Sequence, residues 1–298
     1  MSSKKTETTQ KTSPTSNWNS FQTSTPGKWV LSGEHTVLRG GTAIALPHPE
    51  FKLEFSFEPS GSSLSVIPDL ASVATQDLLR VAREWLKKHD IAMIWPTGEI
   101  MIESTIPFGA GLGSSAAFSV AMARWILTSH TLSIGLEIEL ATVLEDRFHG
   151  KSSGMDVSVI SLGRPILFSM QDGARALDLT RLPQFRFQDT GIRASTRDCI
   201  ERVEKLLKTN PELARELDSR MKLATTQMLE GLNDYEENPK SGLIKIAHAM
   251  ISSFEVFEAW ELNPPEVEPI LSQEKRQGAL ASRLTGAGGG GVLVSVVS

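Results

Sequence analysis

The hydrophobic pattern of the chain changes period several times. In FKLEFSFEP (51–59) apolar and polar residues alternate, which puts Phe51, Leu53, Phe55 and Phe57 on one face of a half-exposed strand. Before it, KWVLSGEHTVLRGGTAIAL contains two apolar runs separated by glycine-rich turns, the pattern of short strands. In DLLRVAREWLKKH the period lengthens: Leu78, Leu79, Ala82, Trp85 and Leu86 form one apolar stripe, Asp77 stands near the start and lysines stand at the end, as in an amphipathic helix. IMIES (100–104) then reads as a strand and FSVAMARWIL (118–127) as a helix. A further helix is predicted over Ile138 to Phe148, a loop over HGKSSGMD, a strand in RPILFSM and an extended segment in FRFQDTG. Helical spacing returns near Asp198–Lys208, Glu212–Leu232 and Leu243–Trp260, and the prolines after Asn263 stop the last of these. RLTGAGGGGVLVSVV closes the chain as a turn into an apolar strand. The mixture predicts an α+β protein with a first lobe over residues 21–180 and a second over 181–298. Residues 1–20, rich in Ser and Thr, bury too little to fold and predict a disordered tail.

Composition narrows the function more than the fold. With 298 residues, 40% of them apolar and 22% charged, the chain is of globular type and has room for two cores. A net charge of -5 provides no basic footprint for nucleic acid. Cys199 is the single cysteine, so no intramolecular disulfide forms, which agrees with a reducing, cytoplasmic setting. No apolar run is long enough for a bilayer and the first residues lack an apolar secretory core, so no membrane role is expected.

The densest chemical signal is PFGAGLGSSAA, Pro107 to Ala117, a glycine-rich turn between a strand and a helix. Such a turn offers unpaired amides and the positive end of the helix dipole, which suit a phosphate chain; Ser114 and Ser115 could cap the helix or put a hydroxyl on a metal. No GK[ST] closes the turn, and the only GKS, at 150–152, has Glu145 where the opening glycine belongs. A dinucleotide fingerprint would need serine in its last place and an acidic residue about 20 positions on, which is missing. Zinc and calcium spacings are absent, and GSSAA lacks the closing glycine of a hydrolase elbow.

Five segments in order resemble the signature of the GHMP kinase superfamily, and its mevalonate-phosphorylating branch in particular. They are PGKWVLSGEHTVLRGG (26–41), PFGAGLGSSAAFSVA (107–121), EDRFHGKSSGMD (145–156), DTGIRASTR (189–197) and LTGAGGGG (284–291). The resemblance implies a two-lobed fold, with a mixed α/β N-terminal lobe, a ferredoxin-like C-terminal lobe and the active site in the cleft between them. It implies phosphoryl transfer from ATP, with Mg²⁺, to the primary hydroxyl of mevalonate, a small carboxylated alcohol. Residue by residue, Asp156 and Lys28 match the catalytic pair. Gly109, Ala110, Gly111, Leu112, Gly113, Ser114, Ser115 and Ala116 match the nucleotide loop, and Ser115 and Glu145 match the metal ligands. Lys28, Glu34, His35, Asp156, Thr196, Gly286 and Ala287 match the substrate end. His149 and His248 read as structural.

The chain departs from the family pattern in places. Lys151-Ser152 and Val157 differ around the catalytic aspartate, LPHPE (46–50) interrupts a strand that is usually smooth, and one strand follows GAGGGG where relatives have a helix and a further strand. The second lobe's sheet is therefore either trimmed or completed by another copy in a homodimer. Two other activities stay open: a sibling kinase acting on phosphomevalonate, for which Arg193 and Arg197 would supply a basic pair, and a ligand sensor without turnover.

Overall fold

The computed structural model describes residues 18–61, 63–150 and 152–298, and of His149 the backbone only. The expected tail over 1–17 and Lys151 lie outside these residues. Trp18, inside the segment expected to be tail, is anchored: its Nε1 donates to the Ile94 carbonyl at 2.8 Å and its ring lies 4.5 Å from that of Trp125.

Two sheets organise the chain. The first contains β1 (Phe21–Ser32), β2 (Thr42–Pro59), β3 (Ser65–Ile67), β4 (Gly98–Ser104), β5 (Ile166–Ser169) and β6 (Gly173–Ala176), in the order β3-β4-β2-β5-β6 with β1 also on β2. Only β3 and β4 run parallel. The strand predicted from FKLEFSFEP is the second half of the long β2, and Leu53, Phe55 and Phe57 are buried as the alternation required. LPHPE does not end β2. It bulges, because Pro26 pairs with Lys52 and Lys28 with Pro47, leaving residues 48–51 opposite Gly27. Pro47 and Pro49 have no amide to give the ladder, and His48 Nδ1 instead accepts from the amides of Glu50 (3.2 Å) and Phe51 (3.1 Å).

Four helices pack with this sheet: α1 (Ser72–Lys88), α2 (Ser114–Ser129), α3 (Glu137–His149) and α4 (Met155–Leu162). The stripe predicted for α1 is buried in full. α2 is apolar on nearly every side and buried from Ala116 to Leu127 except at Arg124, as befits a central helix. α4 corrects the loop expected over HGKSSGMD. Its eight residues are too short and too uniformly apolar to show a helical stripe, and Gly154, left-handed at φ 83°, starts it.

The second sheet is antiparallel, in the order β7 (Gln184–Asp189), β9 (Val292–Val297), β8 (Ala279–Leu284), and so has three strands among the described residues. Around it stand α5 (Thr196–Thr209), α6 (Pro211–Glu237), α7 (Pro239–Ala259) and α8 (Glu268–Arg276). Asn-Pro starts both α6 and α7: the Asn210 and Asn238 side chains accept from the amides of Leu213 and Ser241, and proline fills the first helical position, where its missing amide costs nothing. The larger core joins Trp29, Phe55, Phe57 and Trp125 to Val292, Val294 and Val296 of β9 and Met228 and Met250 of α6 and α7, so it runs across the boundary expected near 180. A smaller core gathers Cys199, Met221, Phe257, Trp260 and Leu284. Among the described residues no helix is long and apolar enough to cross a membrane.

Candidate active site

The glycine turn alternates in backbone and in burial. Gly109, Gly111 and Gly113 have φ of 68°, 77° and 73°, while Ala110 and Leu112 between them are buried. The two apolar side chains pin the turn to the core and hold it at the positive end of α2, a setting that suits anions. Gly113 is the N-cap of α2 and no side chain caps it; of the two roles open to Ser114 and Ser115, the cap is not the one taken, since both are the first helical residues. Ser115 Oγ donates to Glu145 Oε1 at 2.7 Å, and Ser119 Oγ to Glu145 Oε2 at 3.0 Å. Glu145 is thus no solvated helix charge: it is 2% exposed, below the turn. A carboxylate and a hydroxyl side by side make a hard-oxygen donor set that fits Mg²⁺, which keeps waters and phosphate oxygens as its other ligands.

Lys28 ties this turn to α4. Its amide donates to the Leu112 carbonyl at 2.9 Å, its Nζ donates to the Gly111 carbonyl at 2.8 Å, and the same Nζ lies 3.2 Å from Asp156 Oδ2. The Lys28 side chain is 6% exposed and that of Asp156 31%, so the lysine is enclosed and the carboxylate opens toward solvent. Asp156 stands in the first turn of α4, where the helix dipole favours a negative charge. Gly113 permits the approach: a Cβ there would lie 2.7 Å from Lys28 Cγ.

The GEH segment meets the third glycine turn. The buried His35, at φ 61°, places Nε2 2.9 Å from the Ala287 carbonyl. A carbonyl only accepts, so Nε2 bears the proton and Nδ1 the lone pair. Burial pushes the His35 pKa down to about 4, leaving the ring neutral around pH 7. Glu34 Oε1 lies 2.8 Å from Arg283 Nη2, a charged residue in an apolar strand that sequence reasoning passed over. Gly286 packs on Gly111 of the first turn.

DTGIRASTR is laced to the same turn: the amide and hydroxyl of Thr190 both donate to the Gly291 carbonyl (2.9 and 2.8 Å), and the Gly291 amide donates to the Ile192 carbonyl at 2.8 Å. Thr196, the first residue of α5, is exposed, and among the described residues no hydrogen bond joins it to Lys28 or Asp156. The fold thus ties Lys28, Asp156, Ser115 and Glu145 to the 109–116 turn, links His35 to the turn of Gly286 and Ala287 that meets it at Gly111, puts Glu34 on Arg283 two positions before that turn, and leaves Thr196 exposed at the start of α5. His248 is exposed on α7.

The fold and domain order recur in known proteins. Residues 76–164 match the GHMP kinases N terminal domain, and residues 241–298 match GHMP kinases C terminal. A mevalonate kinase of Aeropyrum pernix is 26% identical over 92% of this chain and 87% of its own. The crystal structure of L. major mevalonate kinase in complex with R-mevalonate superposes with a TM-score of 0.76 at 24% identity, covering 93% of this chain and 87% of that one. The Streptococcus pneumoniae phosphomevalonate kinase bound to phosphomevalonate and AMPPNP superposes at 0.73 with 17% identity, over 93% and 92% of the two chains. With the GHMP kinase N-terminal and C-terminal domains both matched, and in that order, the chain belongs to the GHMP kinase family.

Proposed function

We propose that the protein transfers the γ-phosphoryl group of ATP to the primary hydroxyl of mevalonate, giving 5-phosphomevalonate and ADP. The observation that carries the reading is the Lys28 ammonium, which bridges the Gly111 carbonyl of the phosphate turn and the Asp156 carboxylate. Phosphoryl transfer asks a protein for alignment and charge compensation more than for covalent chemistry. The amides of 109–115 cradle the triphosphate. Asp156, held in direction by Lys28, accepts the hydrogen bond of the attacking hydroxyl, aims its oxygen at the phosphorus and takes the proton as the new P–O bond forms. Lys28 offsets the negative charge that spreads over the phosphoryl oxygens. Glu145 and Ser115 would hold Mg²⁺, which when bound neutralises phosphate charge. His35 Nδ1 is the acceptor for a second substrate hydroxyl, and Glu34, Thr196, Gly286 and Ala287 border the same end.

Two observations favour mevalonate over phosphomevalonate. Arg193, one of the two basic residues open for a substrate phosphate, makes a two-pronged contact with Asp189 at 2.7 Å on each oxygen, and Arg197 pairs with Glu201 at 2.8 Å along α5. Neither guanidinium is uncommitted. Curated relatives matched over more than nine-tenths of the chain include mevalonate kinases of archaea and of Dictyostelium discoideum. A sensor without turnover has no use for a charged set of Lys28, Ser115, Glu145 and Asp156 converging on one turn. A cytoplasmic site of action and a homodimer that extends the three-stranded sheet belong to the same proposal; sedimentation velocity tests the dimer. The activity test is ADP release by purified protein with ATP and Mg²⁺ plus either mevalonate or phosphomevalonate. Release that depends on mevalonate supports the reading. Release with phosphomevalonate alone, or with neither, overturns it.

A further inference from the structure

Arg283 carries no role in phosphoryl transfer, yet its surroundings are unusual. It is 0% exposed at the end of β8 and makes contact with three separate elements. Its Nη1 donates to the Leu31 carbonyl of β1 at 2.7 Å, its Nη2 lies 2.8 Å from Glu34 Oε1, and its guanidinium sits 4.5 Å above the Phe257 ring of α7. The β1 contact comes from a break in pairing. The β1–β2 register shifts between Val30 and Ser32, which takes Leu31 out of the ladder and hands its carbonyl to Arg283. Two residues on, Thr285 Oγ1 takes the Val30 amide and donates to the Val30 carbonyl, both at 2.8 Å. Through the Arg283 and Thr285 side chains, the end of β8 therefore stands in for β2 along this piece of β1.

The pair is close but poorly aligned. Neither Glu34 oxygen, nor Arg283 Nε or Nη2, has a hydrogen bond of good geometry, although both residues are almost wholly buried. An ion pair this enclosed is a weak source of stability, since desolvation offsets most of the attraction, and its retention is better explained by what it orients. Glu34 leads directly into His35, a non-glycine residue held at positive φ. Arg283 and Thr285 lead into the Gly286–Ala287 turn, whose carbonyl accepts the His35 proton. We propose that Arg283 is a positioning residue for the acceptor alcohol: by binding the Leu31 carbonyl and the Glu34 carboxylate, it fixes the strained Glu34–His35 turn against Gly286–Ala287, and so sets where the alcohol's hydroxyls are received. The phosphate turn touches the 286–291 turn at Gly111 and Ala110 but has anchors of its own in Lys28 and in the buried Ala110 and Leu112 side chains. Loss of Arg283 therefore acts on the alcohol and spares the nucleotide. The proposal rests on the kinase reading, and one arm of its test is independent of that reading.

Lysine keeps the charge at 283 but loses the planar fork that reaches Leu31 and Glu34 together. Arg283→Lys is expected to raise KM for mevalonate about tenfold while leaving KM for ATP within about twofold. Equal changes in both constants, or no change in either, overturn the proposal. Because Arg283→Met risks unfolding by leaving Glu34 unpaired, the second variant is Glu34→Gln with Arg283→Met, which removes both charges and is expected to fold while keeping the raised KM for mevalonate. A double variant with wild-type KM refutes the positioning role. The independent arm reads the His35 ring by NMR, its signal assigned from His35→Gln. The charges facing that ring are Arg39 in the 36–39 turn, Arg283 and Asp218 of α6, with Glu34 beside it in sequence; burial lowers its pKa most, the Ala287 contact raises it, and the two arginines lower it and Asp218 raises it by less. Arg283→Lys, which displaces the turn, is expected to move the His35 shift and titration, whether or not mevalonate is a substrate. A His35 signal identical to wild type overturns the proposal even where KM has changed. A moved signal in a protein that never phosphorylates mevalonate keeps the positioning of the turn and refutes the kinase reading instead.

Discussion

Gly113→Ala separates the lysine's role from that of the turn. At φ 73° an L-residue costs roughly 1–2 kcal/mol, and for a chain of this size each kcal/mol lowers Tm by about 2–4 °C. Gly109→Ala, at φ 68°, carries the same backbone cost, but its new Cβ meets only Arg193 Cδ, at 3.7 Å. At 113 the added Cβ lies 2.7 Å from Lys28 Cγ and 3.2 Å from Cε. Carbon pairs settle at ~3.5–4.0 Å, so the lysine stem has to withdraw by roughly 1 Å. That displacement takes Nζ off both the Gly111 carbonyl and Asp156, and a misplacement of about 1 Å at a reacting pair costs about 10²-fold. Both variants should melt a few degrees below wild type. In a coupled ADP-release assay at saturating ATP and mevalonate, kcat of Gly113→Ala should fall about a hundredfold, and that of Gly109→Ala by less than about fivefold. A shift confined to KM for ATP concerns the phosphate cradle and not the lysine. If the two variants lose kcat equally, or Gly113→Ala keeps it, the Lys28–Asp156 contact is not what aligns the hydroxyl.

Three other outcomes are expected from the same geometry. Asp156→Asn keeps the shape and removes the proton acceptor, so single-turnover transfer should slow by about 10²–10⁴-fold with ATP binding preserved; retention of the rate sinks the assigned role. Glu145→Gln should raise the Mg²⁺ concentration needed for half-maximal rate about tenfold, and an unchanged magnesium titration removes Glu145 as a ligand. Acid should destabilise the fold. Burial lowers the pKa values of both His35 and His48 from 6.5 to about 4, so between those values the unfolded chain binds protons that the folded one refuses. This stability is complete above pH 6.5 and is lost as pH falls toward 4, by at most about 1.4 kcal/mol per pH unit for each ring. Glu34, whose carboxyl burial pushes up from 4.5, works in the opposite sense as pH rises past that value. Urea unfolding at pH 7 and pH 5 checks the sum, and a His35→Gln, His48→Gln variant with an unchanged acid slope refutes it.

Periodicity was enough to read the second half of β2, α1 and α3 from the sequence, because each carries a repeat and buries one predictable face, whereas α2 was legible from its long apolar run after the glycine turn. The glycine turn was equally legible, since alternating glycines between a strand and a helix have few other uses. Where tertiary packing overrode local pattern, the sequence was silent. α4 hides its helicity because it is buried on nearly every side, and with it was hidden the fact that Asp156 begins a helix. β3 and β6 are three- and four-residue strands, visible only through their partners.

The amino-acid sequence by itself determined the chemical inventory: a phosphate turn, a lysine after Pro-Gly, a carboxylate at 145 and another at 156, in an order that ties them to one family. The tertiary structure alone decided which of these meet. Lys28 and Asp156 are 128 positions apart in sequence and 3.2 Å apart in space, and Arg283 reaches Leu31 and Glu34 across 252 and 249 positions. Contacts at such separation depend on where a bulge frees a carbonyl and on how two sheets share one core. No local repeat encodes either, which is why Arg283 stayed invisible until the lobes were packed.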